Sequence, residues 1–212
     1  MLSVDEAISS LLASSSTLVE SESMDLIEAN GRVLASDIVA PIFVPPADNS
    51  AMDGYVIRHA EWPGPEKALL LSQRITAGSV PDPLQQGTAA RIFTGAEVPE
   101  GGDTVVMQEN CEEQDGAVRI LDLPERGANI RPRGQDIEAG QHVLKAGQRL
   151  RAQDQGLVAS LGIAQVEVRK RLKVAILSTG DQLVEPGQEV SPGQIYNSNR
   201  FSMSAQLASW GF

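Results

Sequence analysis

A chain of 212 residues is long enough for one large domain or two small ones. Hydrophobic residues make up 42%, a globular content, and aromatics only 4%, so the cores must be mainly aliphatic. Acidic residues outnumber basic ones 28 to 17, a net charge of -11, which argues against nucleic acid and anionic membranes as partners, since both require a basic surface.

The first helix is signalled by Ser3 and Glu6, an S-x-x-E capping box, followed by Val4, Ala7, Ile8, Leu11 and Leu12 on one face, with the serine run 14–16 ending it. The opening Met1-Leu2-Ser3-Val4-Asp5-Glu6 has neither a basic nor an apolar signal-peptide region. No apolar run approaches the roughly 20 residues that span a bilayer, so the expected compartment is the cytoplasm. A second short helix is expected around Leu26–Ala29, with Gly31 just past its end. Val33–Val39 then leads into the breaker-rich Pro41–Pro46.

From Asp48 to Gly134 short apolar runs recur between turn residues: Tyr55–Ile57, Ala68–Leu71, Ala89–Phe93, Thr104–Gln108 and Ala117–Leu121. This texture predicts a small β domain of barrel or sandwich type, with Asp115-Gly116 as a hairpin turn. Helix returns at Arg151–Leu161, closed by Gly162, and Gln165–Val168 alternates like a strand. Lys173-Val174-Ala175-Ile176-Leu177 reads as a strand buried on both faces, as in a parallel sheet. A Pro/Gly-rich loop and a last helix from about Asn199 to Gly211 follow. One such strand cannot make a sheet, so the sequence predicts a domain of which only the beginning is present.

The standard catalytic signatures are missing: no phosphate loop, no H-E-x-x-H and no G-x-S-x-G. Cys111 is the only cysteine, which excludes an intrachain disulfide and a thiolate metal cluster, and His59 and His142 have no ligand-spaced neighbour. Four segments remain. Asp48-Asn49-Ser50-Ala51-Met52-Asp53-Gly54-Tyr55 could hold an oxygen-liking ion such as Mg²⁺, although its composition alone reads as a turn. Arg91-Ile92-Phe93-Thr94-Gly95-Ala96 ends a strand in groups that can donate to an anion, or simply ends it. Gly127-Ala128-Asn129-Ile130-Arg131-Pro132-Arg133-Gly134-Gln135-Asp136 concentrates arginine beside glycine, which suits phosphate or carboxylate recognition, or a solvated linker. Ser178-Thr179-Gly180-Asp181 follows the buried-type strand, where ligands of doubly wound sheets bind.

Taken in order, these segments resemble the molybdopterin molybdenumtransferase family, which includes the catalytic domain of gephyrin. The resemblance rests on Gly31-Arg32-Val33-Leu34-Ala35, the DNSAMDGY run from Asp48, FTGAEVPEG from Phe93, VVMQE from Val105, NIRPRGQDI from Asn129, ASLGIAQVEV from Ala159, AILSTGDQLVEPG from Ala175 and GQIYNSNR from Gly193. It implies an α+β multidomain fold. Residues 1–20 would pack on the molybdopterin-binding domain. Residues 21–47 and 135–171 would form an elongated dimerisation domain. Residues 48–134 would be an inserted β-barrel-like domain, and 172–212 the first strand, loop and helix of a doubly wound molybdopterin-binding domain. The active site would lie in a cleft using both subunits of a homodimer, with the molybdopterin adenylyltransferase that supplies substrate as a further partner.

The implied reaction takes adenylylated molybdopterin and molybdate, releases AMP with Mg²⁺ and leaves molybdenum on the dithiolene. By the same resemblance Asp53, Thr94, Asp136 and Asp181 are catalytic. Ser178, Thr179, Gly180, Arg131 and Arg133 bind the substrate, and Asp53 and Asp181 hold the metal. Two positions depart from the family pattern: Gln182 stands where glutamate usually follows the STGD aspartate, and Gln135 where R-G-E-D is usual. Each keeps the shape and loses a charge. Gln182 favours the alternative of a non-catalytic molybdopterin-binding scaffold or paralogue.

Overall fold

The structure is a computed structural model and describes residues 3–17 and 19–212. In chain order it begins with α1 (Val4–Ser14), β1 (Ser21–Asp25), β2 (Ile38–Val39), β3 (Asn49–Ser50), β4 (Gly54–Ile57), β5 (Ala68–Ile75) and β6 (Thr88–Ile92). It continues with β7 (Thr104–Met107), β8 (Cys111–Gln114), β9 (Ala117–Ile120), β10 (Ile130–Arg131) and β11 (His142–Leu144). The last elements are α2 (Ala152–Ser160), β12 (Gln165–Arg169), β13 (Leu183–Val184), β14 (Ile195–Tyr196) and α3 (Ser198–Ser209). The chain divides into two compact units, one of Val39–Val143 and one of Met1–Ile38 with Leu144–Phe212.

The unit of Val39–Val143 is built on a curled six-stranded sheet of order β7-β4-β6-β5-β9-β8. Strand β4 is buried along its whole length, because it lies between β6 and β7 and both of its faces are covered. One face carries Tyr55, Ile57, Leu69, Ala89, Val106, Val118 and Ile120. The other carries Val56, Ile75, Leu84, Ala90, Ile92, Ala96 and Val105. Alternation along β4 therefore feeds two aliphatic cores, as the low aromatic content required. Gly54 is fixed by the close approach of β7: a Cβ there would sit 1.9 Å from the Val106 carbonyl oxygen. The expected hairpin forms. Asp115 and Gly116 both have positive φ, 50° and 77°, and join β8 to β9, the backbone that a tight two-residue hairpin turn needs. Alternation did not reveal that β5 and β6 pair in parallel, with a register shift between Leu71 and Gln73.

In the other unit β1 pairs antiparallel with β12, Glu22 opposite Val168. Leu26, Leu34, Leu150, Val158, Leu161, Val166 and Val168 are buried there. The second helix is a single 3-10 turn, Leu26–Glu28, and β1 is a strand that no periodicity announced. Helix α1 forms with its capping box: Ser3 Oγ accepts from the Glu6 backbone N–H at 3.2 Å, and Ser3 N–H donates to Glu6 Oε2 at 2.7 Å. Its apolar face is uncovered among the described residues, with Val4 75% and Leu11 70% exposed.

One expectation is overturned. Residues 173–177 are not a buried strand; they pair with no strand, and Leu177 is 87% exposed. A parallel strand exists only by hydrogen bonding to neighbours, and the described residues offer this run none. The pairing downstream is instead β13 with β14, parallel, Leu183 opposite Ile195. Helix α3 follows with no buried residue.

Candidate functional site

Four segments far apart in sequence meet at one end of β4, β6 and β7 in the six-stranded sheet. The turn before β4 is held from both sides. Ser50 N–H donates to the Ala96 carbonyl at 2.9 Å, and Gly95 N–H returns a bond to the Ser50 carbonyl at 2.8 Å. Ala51 N–H donates to the Asn129 carbonyl at 2.9 Å, while β3 pairs with β10, Asn49 opposite Arg131. Arg133 N–H donates to Asp48 Oδ1 at 2.7 Å. Gln108, just past β7, donates its N–H to the Asp53 carbonyl at 3.0 Å. The DNSAMDGY, FTGA, VVMQE and NIRPRGQD segments are thereby one constellation.

Within it Asp53 Oδ1 accepts two hydrogen bonds from Thr94, from the backbone N–H and from Oγ1, both at 2.8 Å. These bonds, the backbone one foremost and the hydroxyl next, hold the Asp53 carboxyl below the ordinary aspartate range, and the Arg91 charge adds to the effect. Asp53 is thus a carboxylate at neutral pH, with Oδ2 left unengaged among the described residues. Arg131 forms an ion pair with Asp136, Nη2 to Oδ2 at 2.6 Å. The Arg133 guanidinium lies 3.9 Å from the centre of the Phe43 ring. The structure therefore brings Asp53 to Thr94, and Arg131 to Asp136, from positions 41 and five residues apart.

Ser178, Thr179, Gly180 and Asp181 belong to the unit of Met1–Ile38 and Leu144–Phe212, on an exposed loop that leads into β13. Gly180 has φ 147°, and a Cβ there would meet Gln182 Oε1 at 2.6 Å. The Gln182 amide thus lies against this glycine. Leu183 N–H donates to the Gly180 carbonyl at 3.0 Å and closes the turn.

Among the described residues no group of three or more His, Cys, Asp and Glu side chains could hold a metal ion. Mg²⁺ does not require one, since it binds through one or two carboxylates together with waters and phosphate oxygens. Asp53, ionised and with a free oxygen, fits that mode. Burial pushes the Cys111 thiol up to about 12. A concavity of about 540 Å³ in the other unit gathers Arg32, Arg149, Arg169, Lys170 and Arg171, of which three are already engaged. Arg32 binds Glu22 and the Arg169 carbonyl, Lys170 binds Glu20, and Arg149 donates to the Trp210 carbonyl.

The sequence reading placed Arg91 and Gln108 inside its segments but gave neither side chain a role. Arg91 Nη2 donates to Gln108 Oε1 at 2.6 Å and Nη1 to the Gly54 carbonyl at 3.3 Å. The signal was the two-residue spacing of Arg91 and Phe93, which puts both on one face of the strand end.

One end of the six-stranded sheet thus gathers a carboxylate, a hydroxyl and guanidinium groups, a set of donors and acceptors suited to anionic ligands. Residues 2–162 match the model of the MoeA N-terminal region, domains I and II, and the chain belongs to that family. It is 42% identical over 214 residues to a molybdopterin molybdenumtransferase of Haemophilus influenzae, covering 98% of this chain and 52% of that one. It is 42% identical over 194 residues to one from Nostoc, covering 88% and 44%. A crystal structure titled as a molybdopterin biosynthesis MoeA protein of Pyrococcus horikoshii superposes with a TM-score of 0.87 at 33% identity, covering 96% of this chain and 56% of that one. The chain spans about half the length of the curated relatives it matches.

Proposed function

We propose that this chain acts in molybdenum cofactor biosynthesis as part of a molybdopterin molybdenumtransferase, inserting molybdate into adenylylated molybdopterin with release of AMP. The observation that carries this reading is the Asp53–Thr94 pair, set where four family motifs converge. The relatives' names support the biosynthetic role and the enzyme class.

In this reading Asp53 Oδ2 is a ligand for Mg²⁺, and Thr94 orients the carboxylate through both of its donors. Asp181 keeps the second ligand role that its motif implies. Mg²⁺ supplies charge neutralisation at the anhydride that releases AMP. Arg131 and Arg133 face substrate oxygens, with Asp136 fixing Arg131 through their ion pair. Ser178, Thr179 and the Gly180 N–H hold anionic groups of molybdopterin. A homodimer is part of the proposal, joined through residues near 21–47 and 135–171, with residues 1–20 and 172–212 on the molybdopterin side and 48–134 as the inserted β domain. The molybdopterin adenylyltransferase is the proposed supplier of substrate. The proposed location is the cytoplasm; no helix among the described residues is long and apolar enough to cross a membrane.

The test is AMP release from adenylylated molybdopterin with molybdate and Mg²⁺, in the whole product of the gene if it reads on past Phe212. Asp53→Asn keeps the shape and one acceptor oxygen. It is expected to remove most turnover, on the order of a hundredfold or more as for other single electrostatic groups, with an unchanged circular dichroism spectrum. Retained turnover in that variant would rule out the assignment of Asp53. Failure of the unmodified enzyme to release AMP would favour the scaffold reading that Gln182 raises.

A further inference from the structure

We propose that Arg74 and Arg91 form an anion subsite beside Asp53 and Thr94, fitted to a phosphate of a phosphoanhydride ligand; the ligand class rests on the function proposed above. Arg74 and Arg91 are partners across the parallel β5–β6 pair. Their guanidinium carbons lie 4.5 Å and 4.8 Å from the centre of the same Phe93 ring. Arg91 is further locked by the Tyr55 ring at 4.9 Å, by Gln108 and by the Gly54 carbonyl. Arg74 is exposed, and the Phe93 ring is its one specific side-chain contact among the described residues.

Like charges on neighbouring strands at one register level repel each other. A chain with 28 acidic and 17 basic residues has carboxylates in excess with which to relieve that repulsion. Yet neither arginine has an ion-pair partner among the described residues. Ring stacking holds a guanidinium plane while leaving its N–H edges able to donate. Arg91 spends one N–H of each Nη on Gln108 and Gly54, and the remaining N–H groups of the two guanidiniums, stacked on the ring next to Thr94 in sequence, can donate to phosphate oxygens. Phe93 lies between Arg91 and Thr94 in sequence, so the ring that carries the bases also continues into the residue that binds Asp53.

Inorganic pyrophosphate and AMP are titrated by calorimetry into the full chain without Mg²⁺. Saturable binding that weakens as salt rises is expected. Arg74→Gln should weaken it roughly tenfold, the loss of one charge-assisted contact. Arg91→Gln should do the same, with Arg91→Lys retaining part of the affinity because it keeps the charge without the fork. The Arg74 side chain makes no hydrogen bond or ion pair among the described residues, so its variant separates binding from folding; an unchanged melting temperature with weakened binding supports the subsite. Unchanged pyrophosphate affinity in Arg74→Gln, or no saturable binding by the unmodified chain, overturns it. If binding and its loss are seen while AMP release is absent, the subsite stands and the proposed reaction falls. If AMP release is present and Arg74→Gln binds pyrophosphate normally, the subsite alone falls.

Discussion

Two short apolar runs in this molecule have opposite fates. Gly54-Tyr55-Val56-Ile57 is a strand buried throughout, whereas Val174-Ala175-Ile176-Leu177 pairs with nothing and lies largely in the open. Their compositions would not separate them, since both are four residues rich in β-branched or bulky side chains. What differs is the company. The first has β6 on one side and β7 on the other, which take its backbone N–H and C=O groups, and residues above and below that take its side chains. Hydrophobicity makes a segment available for burial; hydrogen-bonded neighbours make it a strand.

The largest expected effect sharpens that contrast. Ile92 is fully buried on one face of the sheet, while Leu177 is 87% exposed. Ile92→Ala should cost about 2–5 kcal/mol of unfolding free energy, through lost transfer energy and a residual cavity. Leu177→Ala should change it by less than about 0.5 kcal/mol. Urea denaturation followed by circular dichroism compares the two. Equal losses would mean that residues 174–177 are packed in solution and that the contrast is wrong. Amide hydrogen exchange asks the same of the backbone: amides of β4 and β6 should be protected to near the global stability, and those of 174–177 should exchange as an open chain does.

Acid should act on the β unit through a particular tie. Asp103 accepts from the His59 N–H at 2.7 Å and from Arg126 Nε at 2.7 Å. Burial alone would raise its carboxyl; the His59 bond, then Arg126 and Thr104, outweigh burial and leave it below the ordinary aspartate range. With the folded value below the unfolded one, the carboxylate contributes stability that is fully present above the unfolded value, near pH 4, and is lost as pH falls through the folded value. Asp103→Asn should therefore lower stability at neutral pH, by about 1–2 kcal/mol for a charge-assisted bond discounted for its partial exposure. It should also flatten the stability profile below about pH 4. Parallel pH profiles for the two proteins would remove Asp103 from the account.

These contrasts show which parts of the fold and site could be seen in the chain. Local signals were sufficient where local chemistry decides: the Ser3/Glu6 box, the Asp115-Gly116 turn and the Gly162 stop all concern groups a few residues apart. Pairings distant in sequence were invisible, including β1 with β12 and the parallel β5–β6 contact. The candidate site residues were named by resemblance, because Asp, Thr and Gly in turns are also ordinary turn formers. The structure adds why some of them belong together: the Thr94 donors reach back 41 residues to Asp53. Arg74 and the side chain of Arg91 were given no role, because an arginine in a strand reads as solvent-facing until the ring beside it is placed.

The smallest effect is expected at position 182, within the exposed region itself. The Gln182 amide lies against Gly180, with no room for a Cβ there, so a side chain of the same shape is accommodated. Gln182→Glu preserves that shape and adds one negative charge next to Asp181. Because the loop is exposed, the stability change should stay within about 0.5 kcal/mol. If Asp181 binds Mg²⁺ as proposed, a unit charge about 4 Å from the ion in water is worth on the order of 1 kcal/mol for each unit of cation charge. For Mg²⁺ that is up to roughly thirtyfold in the concentration for half-maximal AMP release before screening, and the fall should shrink as salt screens the added charge. Gly180→Ala is the counterpart control: it forces the amide away and strains a backbone with φ 147°, so it should disturb the loop without altering its charge. A Mg²⁺ requirement that moves with Gly180→Ala but not with Gln182→Glu would assign position 182 to loop shape and deny it any part in holding the ion.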